Sequence, residues 1–114
     1  MPDEGYFVGK EDLKEMNQYA RLTPISYDIF NDFYRQVMEE EGALSVKVRE
    51  LVAVGAAHAA KCSPCIYLHT KKAKEAGATK EEIAEAIFVA SLIGVAGVLT
   101  HGTTALDLMK EEES

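Results

Sequence analysis

Basic residues are scarce in this 114-residue chain: 12 Lys and Arg stand against 19 Asp and Glu, a net charge of −7. That balance opposes the counterion release that drives binding to phosphate backbones, so neither nucleic acid nor an anionic membrane surface is expected as a partner. Cysteine is scarcer still. Only Cys62 and Cys65 are present, which excludes the disulfide framework of small secreted domains, and a bridge across so short a loop does little for stability. The start has no basic segment followed by an apolar one, as a secretion signal has, so a cytoplasmic protein is expected. Residues 86–106 hold no Asp, Glu, Lys or Arg, but the strongly apolar part ends at Leu99, before Thr100-His101-Gly102-Thr103-Thr104. A run of that length reads as a buried core helix rather than a membrane span. Strand-like alternation and Asn-Gly turns are missing too, so no sheet is expected, and there are no internal repeats. The acidic tail at residues 111–113 reads as a solvated end.

What is present is 47% hydrophobic residues, enough for one core, and a single domain over residues 1–114 is expected. Its fold class is all-α, with about five to six helices. Residues 1–9 mix Pro, Gly, acids and aromatics without a period and read as an extended arm. A first helix is expected over about residues 11–21. Thr23-Pro24-Ile25-Ser26 interrupts it and starts a second, with Thr23 or Ser26 as N-cap, whose apolar positions Ile29, Phe30, Phe33, Val37 and Met38 recur at helical spacing up to Gly42. Ser45 caps a third helix that runs through Val46, Val48, Leu51 and Val52 into the small residues around Gly55, which permit close helix packing. A fourth starts near Cys62-Ser63-Pro64 and stops at Gly77. Thr79 and Glu82 form a capping box that opens a long apolar helix, expected to bend near Gly94 and Gly97.

Chemistry concentrates in Cys62-Ser63-Pro64-Cys65. Two thiols three apart at a helix start have Cα atoms roughly 5 Å apart, within the range a disulfide tolerates, so the pair can close reversibly. Unpaired N–H groups and the positive end of the helix dipole favour a thiolate there. His69 lies one turn beyond Cys65 on the same face, in position to exchange a proton with that sulfur. Glu50 would stand about 18 Å from Cys62 along one continuous helix. It reaches the site only if the chain reverses near residues 60–62, making an antiparallel hairpin in which Glu50 and Val54 lie level with His69 and Lys72. The carboxylate would then orient His69 and raise its basicity.

Glu50, eleven intervening residues, Cys62-x-x-Cys65, three more and His69 resemble the signature of alkylhydroperoxidase-D-like proteins of the carboxymuconolactone decarboxylase family. The resemblance covers roughly residues 46–106, including the helix start Glu82-Ile83-Ala84-Glu85-Ala86. It implies an all-α fold with a core helical hairpin carrying the Cys-x-x-Cys motif, assembled as a homo-oligomer, a trimer or hexamer. It further implies a peroxide-reducing dithiol site in which Cys65 is oxidised to a sulfenic acid and Cys62 resolves it as a disulfide, with Glu50 and His69 relaying protons. The disulfide would be reduced by a dithiol donor such as a lipoylated or thioredoxin-like protein, and no cofactor or metal is implied. Relatives can carry a histidine just before the second cysteine, where this chain has Pro64.

Other readings compete. Cys62, Cys65, His69 and either His58 or His101 could make a four-ligand zinc set, though structural zinc pairs usually come as two separated knuckles and a second pair is missing. A thioredoxin-like fold needs a strand before its Cys-x-Pro-Cys run, and residues 51–60 read as helix. A muconolactone decarboxylase would not need the cysteine pair. In a non-catalytic oligomeric scaffold, Gly94, Gly97 and Gly102 would serve subunit packing. His58 and His101 read as a packing and a helix-bend histidine, and Tyr67 and Lys71 as core or surface.

Overall fold

The computed structural model describes residues 14–111. The expected N-terminal arm and the start of the first helix lie outside them. Five helices and no strand occur among the described residues: α1 (Gln18–Leu22), α2 (Pro24–Met38), α3 (Val46–Ala59), α4 (Ser63–Glu75) and α5 (Lys80–Leu108). α3 is the centre, with α4 folded back against it, α5 packed across it and α2 touching it more lightly.

Local chemistry explains most of the boundaries. Pro24 opens α2, where its missing N–H would have had no helical partner. α2 then ends at Met38, short of the expected stop at Gly42. The chain leaving α2 is tied to α3 by Arg49, whose guanidinium donates to the carbonyls of Val37 (3.2 Å) and Leu44 (3.0 Å). Ser45 caps α3, its Oγ accepting the Val48 N–H at 3.2 Å. At α5 the Glu82 N–H donates to Thr79 Oγ1 (3.0 Å) and the Thr79 N–H to Glu82 Oε1 (2.8 Å), the reciprocal capping box. Lys47 Nζ lies 2.9 Å from the other Glu82 oxygen. The hydrogen bond from Lys47, followed by that from the Thr79 N–H, holds the Glu82 carboxyl below its ordinary value.

Two matching reversals bracket α4. At its end the Ala78 N–H donates to the Ala73 carbonyl and the Gly77 N–H to Lys74, with Gly77 at φ +95°. At the end of α3 the Cys62 N–H donates to Ala57 and the Lys61 N–H to His58, with Lys61 at φ +55°. Both are Schellman caps. The second puts a side chain in the left-handed region that favours glycine. Lys61→Gly is therefore expected to stabilise the chain by about 1 kcal/mol, read as a higher urea midpoint at unchanged slope.

The α3–α5 crossing depends on Gly55. A Cβ there would meet the Ala86 carbonyl oxygen at 3.2 Å and Ala90 Cβ at 3.7 Å. Gly55→Leu is expected to cost about 1–3 kcal/mol by overpacking, outweighing its better helix propensity, and to lower the urea midpoint.

Little is buried. Val54 and Ala73 have no accessible surface, Ala57 has 5%, and the buried charged residue is Glu50 at 3%. The apolar run at residues 86–99, expected as a buried core helix, has no buried residue: Phe88, Leu92, Ile93, Val98 and Leu99 are all exposed. A helix apolar all round presents more surface than one neighbour can cover, and among the described residues α3 is the element packed closely on it. α5 runs through Gly94 and Gly97 as one continuous helix to Leu108, about 43 Å. By length and composition alone α5 could cross a membrane.

Candidate active site

The reversal at Lys61 brings two distant parts of the sequence together. Because α4 runs back along α3, Glu50 on the first turns of α3 reaches His69 in the middle of α4, and His69 Nδ1 lies 2.7 Å from Glu50 Oε1. The carboxylate can only accept, so Nδ1–H donates to it and the ring's second nitrogen, Nε2, is left to take up a proton. Both side chains are nearly shut off from water, at 12% and 4% exposure. Removed from solvent, a charge-assisted hydrogen bond is stronger than its surface equivalent.

Cys62 is the N-cap of α4 and Cys65 its third residue. They are joined as a disulfide, with Cα atoms 5.2 Å apart. The Cys65 N–H donates to Cys62 Sγ at 3.3 Å, so the first sulfur occupies the place an oxygen takes in an ordinary N-cap. Pro64 sits in the first turn, as α4 tolerates it. Both cysteines are half-buried, as is suited to a thiol that a small reactant must reach. His69 is one turn beyond Cys65 on the same helix. The four residues singled out from spacing, Glu50, Cys62, Cys65 and His69, thus lie on one helical hairpin.

The other candidates do not join them. His58 donates from Nδ1 to the Val54 carbonyl at 2.7 Å, a bond back along its own helix. His101 stands exposed on α5, and Lys71 is exposed on α4. Among the described residues no three His, Cys, Asp or Glu side chains are grouped so as to hold a metal ion.

A further residue, Tyr34 of α2, enters the site without having been expected there. Its ring stacks on the His69 imidazole, with centroids 6.0 Å apart and planes inclined by 26°. Its hydroxyl is buried and has no hydrogen-bond partner among the described residues. Burial first, and then the negative charges of Glu50 and Glu39, push the phenol above its ordinary value, so it stays protonated. The sequence carried one faint sign: Tyr34 lies four after Phe30 and four before Met38, on the apolar stripe of α2, where a polar tip is out of place.

Residues 24–107 match the model of the carboxymuconolactone decarboxylase family. Two proteins of Paracoccus denitrificans are similar in sequence. Uncharacterized protein 4 in the cox locus is 38% identical over 76 residues, 67% of this chain and 68% of that protein. An uncharacterized 15.0 kDa protein in the nqo9-nqo10 intergenic region is 35% identical over 83 residues, 70% of this chain but 61% of that protein, less than two thirds of its length. Among solved structures, a protein from Methanobacterium thermoautotrophicum superposes with a TM-score of 0.71 at 29% identity, over 79% of this chain and 97% of that one. A carboxymuconolactone decarboxylase family protein from Legionella pneumophila gives 0.70 at 26% identity, over 88% of each chain.

Proposed function

Because the chain belongs to the carboxymuconolactone decarboxylase family, whose members include enzymes, and carries a cysteine pair beside a buried His–Glu pair, we propose that it is an alkylhydroperoxidase-like thiol peroxidase or disulfide oxidoreductase. The observation that carries this reading is the Cys62–Cys65 bridge at the start of the helix that also holds His69.

His69 takes the proton of Cys65, and Glu50 stabilises the imidazolium that forms. The Cys65 thiolate attacks one peroxide oxygen; the S–O bond forms as the O–O bond breaks, and the leaving oxygen takes the proton from His69. Cys65 is then a sulfenic acid. The Cys62 thiol attacks its sulfur, the disulfide forms and water leaves. A dithiol donor, of the lipoylated or thioredoxin-like kind, returns the pair to thiols by exchange and leaves as a disulfide. With Pro64 ahead of Cys65, His69 is the histidine of the relay.

The same reading includes a soluble, cytoplasmic homo-oligomer, a trimer or hexamer. The accessible surface is 9209 Å², against about 6,200 Å² for a compact monomer of this mass. The radius of gyration is 18.8 Å, where about 13 Å is usual for a domain of this length. An apolar groove of ≈ 450 Å³ between α3 and α5, lined by Val48, Val52, Val89 and Ile93, lies open on that surface, and copies of the chain would close it.

The test is thiol counting on the reduced native protein before and after one equivalent of hydrogen peroxide, with intact and native mass on the same sample. Loss of both thiols with a two-hydrogen decrease in mass supports the redox pair, and a multiple of the chain mass supports the assembly. Unreactive thiols overturn the first, and a monomer at micromolar concentration, or a chain that sediments with membranes, overturns the second.

A further inference from the structure

We propose that Tyr34 is a positioning residue for His69: its ring holds the imidazole against the Glu50 carboxylate and favours the positively charged ring that forms when His69 accepts a proton. This rests on the thiol-redox reading of the site. Two parts of Tyr34 could act on the site, the hydroxyl and the ring. The hydroxyl is buried without a hydrogen-bond partner among the described residues, so no bond from its oxygen to another described residue holds the side chain in place. Burial and the charges of Glu50 and Glu39 keep it protonated, so it takes no proton from a thiol and adds no negative charge beside Glu50. What remains is the ring. At a centroid separation of 6.0 Å and an inclination of 26°, the Tyr34 ring lies beside the imidazole within the range of an offset aromatic pair. Stacking restricts the ring's rotation about its side-chain bonds. An aromatic ring at this distance also attracts a cation, over and above its pairing with a neutral ring. The effect therefore appears when His69 is charged, which is the state in which it has relieved Cys65 of its proton.

The surroundings leave room for such a contribution. The titratable groups around His69 are Glu50 on α3, Tyr34 on α2 with Glu39 at that helix's end, and, on α4 itself, the cysteine pair and Lys72 one turn on. Glu50 acts through a hydrogen bond at Nδ1, whereas Tyr34 acts through its ring, which is paired with the imidazole at a centroid separation of 6.0 Å, so the two contributions are of different kinds. Tyr34 reaches this place because Arg49, next to Glu50 in sequence, ties the Val37 and Leu44 carbonyls to α3 and so fixes the end of α2.

The experiment compares the wild-type chain with Tyr34→Phe, Tyr34→Leu and Tyr34→Met, each shown to be helical by circular dichroism. The first readout is the rate at which the reduced protein loses its thiols to hydrogen peroxide. Tyr34→Leu is expected to slow that rate about two- to fivefold with unchanged dependence on peroxide concentration, while Tyr34→Phe, which keeps the ring, restores it. The second readout needs no peroxide: the ring-proton resonances of His69, assigned with His69→Gln, are expected to move in Tyr34→Leu through loss of the ring current and to stay in place in Tyr34→Phe. Tyr34→Met, of similar length without a π face, replaces Tyr34→Leu should the latter not fold, and is expected to behave as it does. A folded Leu or Met variant with the wild-type rate and unmoved His69 resonances overturns the proposal. So does a Phe variant as slow as Leu, which would assign the effect to the hydroxyl. If wild-type thiols do not react with peroxide at all, the thiol-redox reading falls, and the His69 resonances still decide whether Tyr34 positions the ring.

Discussion

Cys65→Ser is expected to reduce thiol-dependent peroxide turnover to the level of the uncatalysed reaction. A serine hydroxyl carries almost no alkoxide at neutral pH and is a poor nucleophile toward a peroxide oxygen, so the first S–O bond cannot form. Cys62→Ser separates the two halves of the cycle. The Cys65 sulfur is intact, and one equivalent of peroxide is still expected to oxidise it. With no second thiol three residues away, however, the sulfenic acid cannot close to the internal disulfide, and recycling is left to slower direct attack of a donor thiol on the sulfenic sulfur, which releases water and forms a mixed disulfide that the donor's second thiol opens. The measurement is intact mass after one equivalent of peroxide, with and without a sulfenic-acid trap, alongside multiple-turnover assays with a dithiol. Gain of a single oxygen in Cys62→Ser, no such oxidation in Cys65→Ser, no turnover in Cys65→Ser and turnover well below the wild-type rate in Cys62→Ser would fit the proposed roles. Multiple turnover by both variants at the wild-type rate would end the assignment. The serine at position 62 can still accept the Cys65 N–H that Cys62 Sγ accepts in the native chain, so the helix cap survives and a loss of recycling is not a loss of folding.

Glu50→Gln is expected to slow peroxide turnover about a hundredfold while leaving the fold as stable as before or more so. Gln keeps an oxygen that can accept from His69 Nδ1–H but removes the negative charge that stabilises the imidazolium, so the proton leaves Cys65 less readily. In the native chain Glu50 is 3% exposed, and a neutral amide is cheaper to bury there than a carboxylate. The two effects therefore move in opposite directions, and a structural role alone would not separate them. The check is the turnover rate against pH together with a urea titration of the same preparation. Equal loss of activity and stability would show that Glu50 acts through the fold and not through His69.

How much of this was legible in the sequence depends on the distance over which each signal acts. Ser45, Thr79 with Glu82, Pro24 and Gly77 each declare a helix end through bonds that close within one turn, and all appear where local rules put them. The spacing of Cys62, Cys65 and His69 is equally local, since a single helix fixes it. Glu50 was legible only through the supposition of a hairpin and the spacing shared with the family it resembles, because its bond to His69 spans 19 residues. The reversal itself carried no glycine: Lys61 accepts a left-handed conformation that its own propensity opposes, and the packing of α4 on α3 imposes it.

Sequence alone therefore determined the class of the fold, the order of the helices and the redox-capable pair, because these follow from hydrophobic period, capping residues and spacing within a turn. Tertiary structure decided the rest. Arg49 ties the end of α2 to α3, Glu50 meets His69 only across the hairpin, Tyr34 reaches the imidazole from a helix far away in sequence, and α5 is left with its apolar surface uncovered. Each is a contact between chain segments whose approach no local preference encodes, since side-chain pairing across elements depends on where whole helices come to rest.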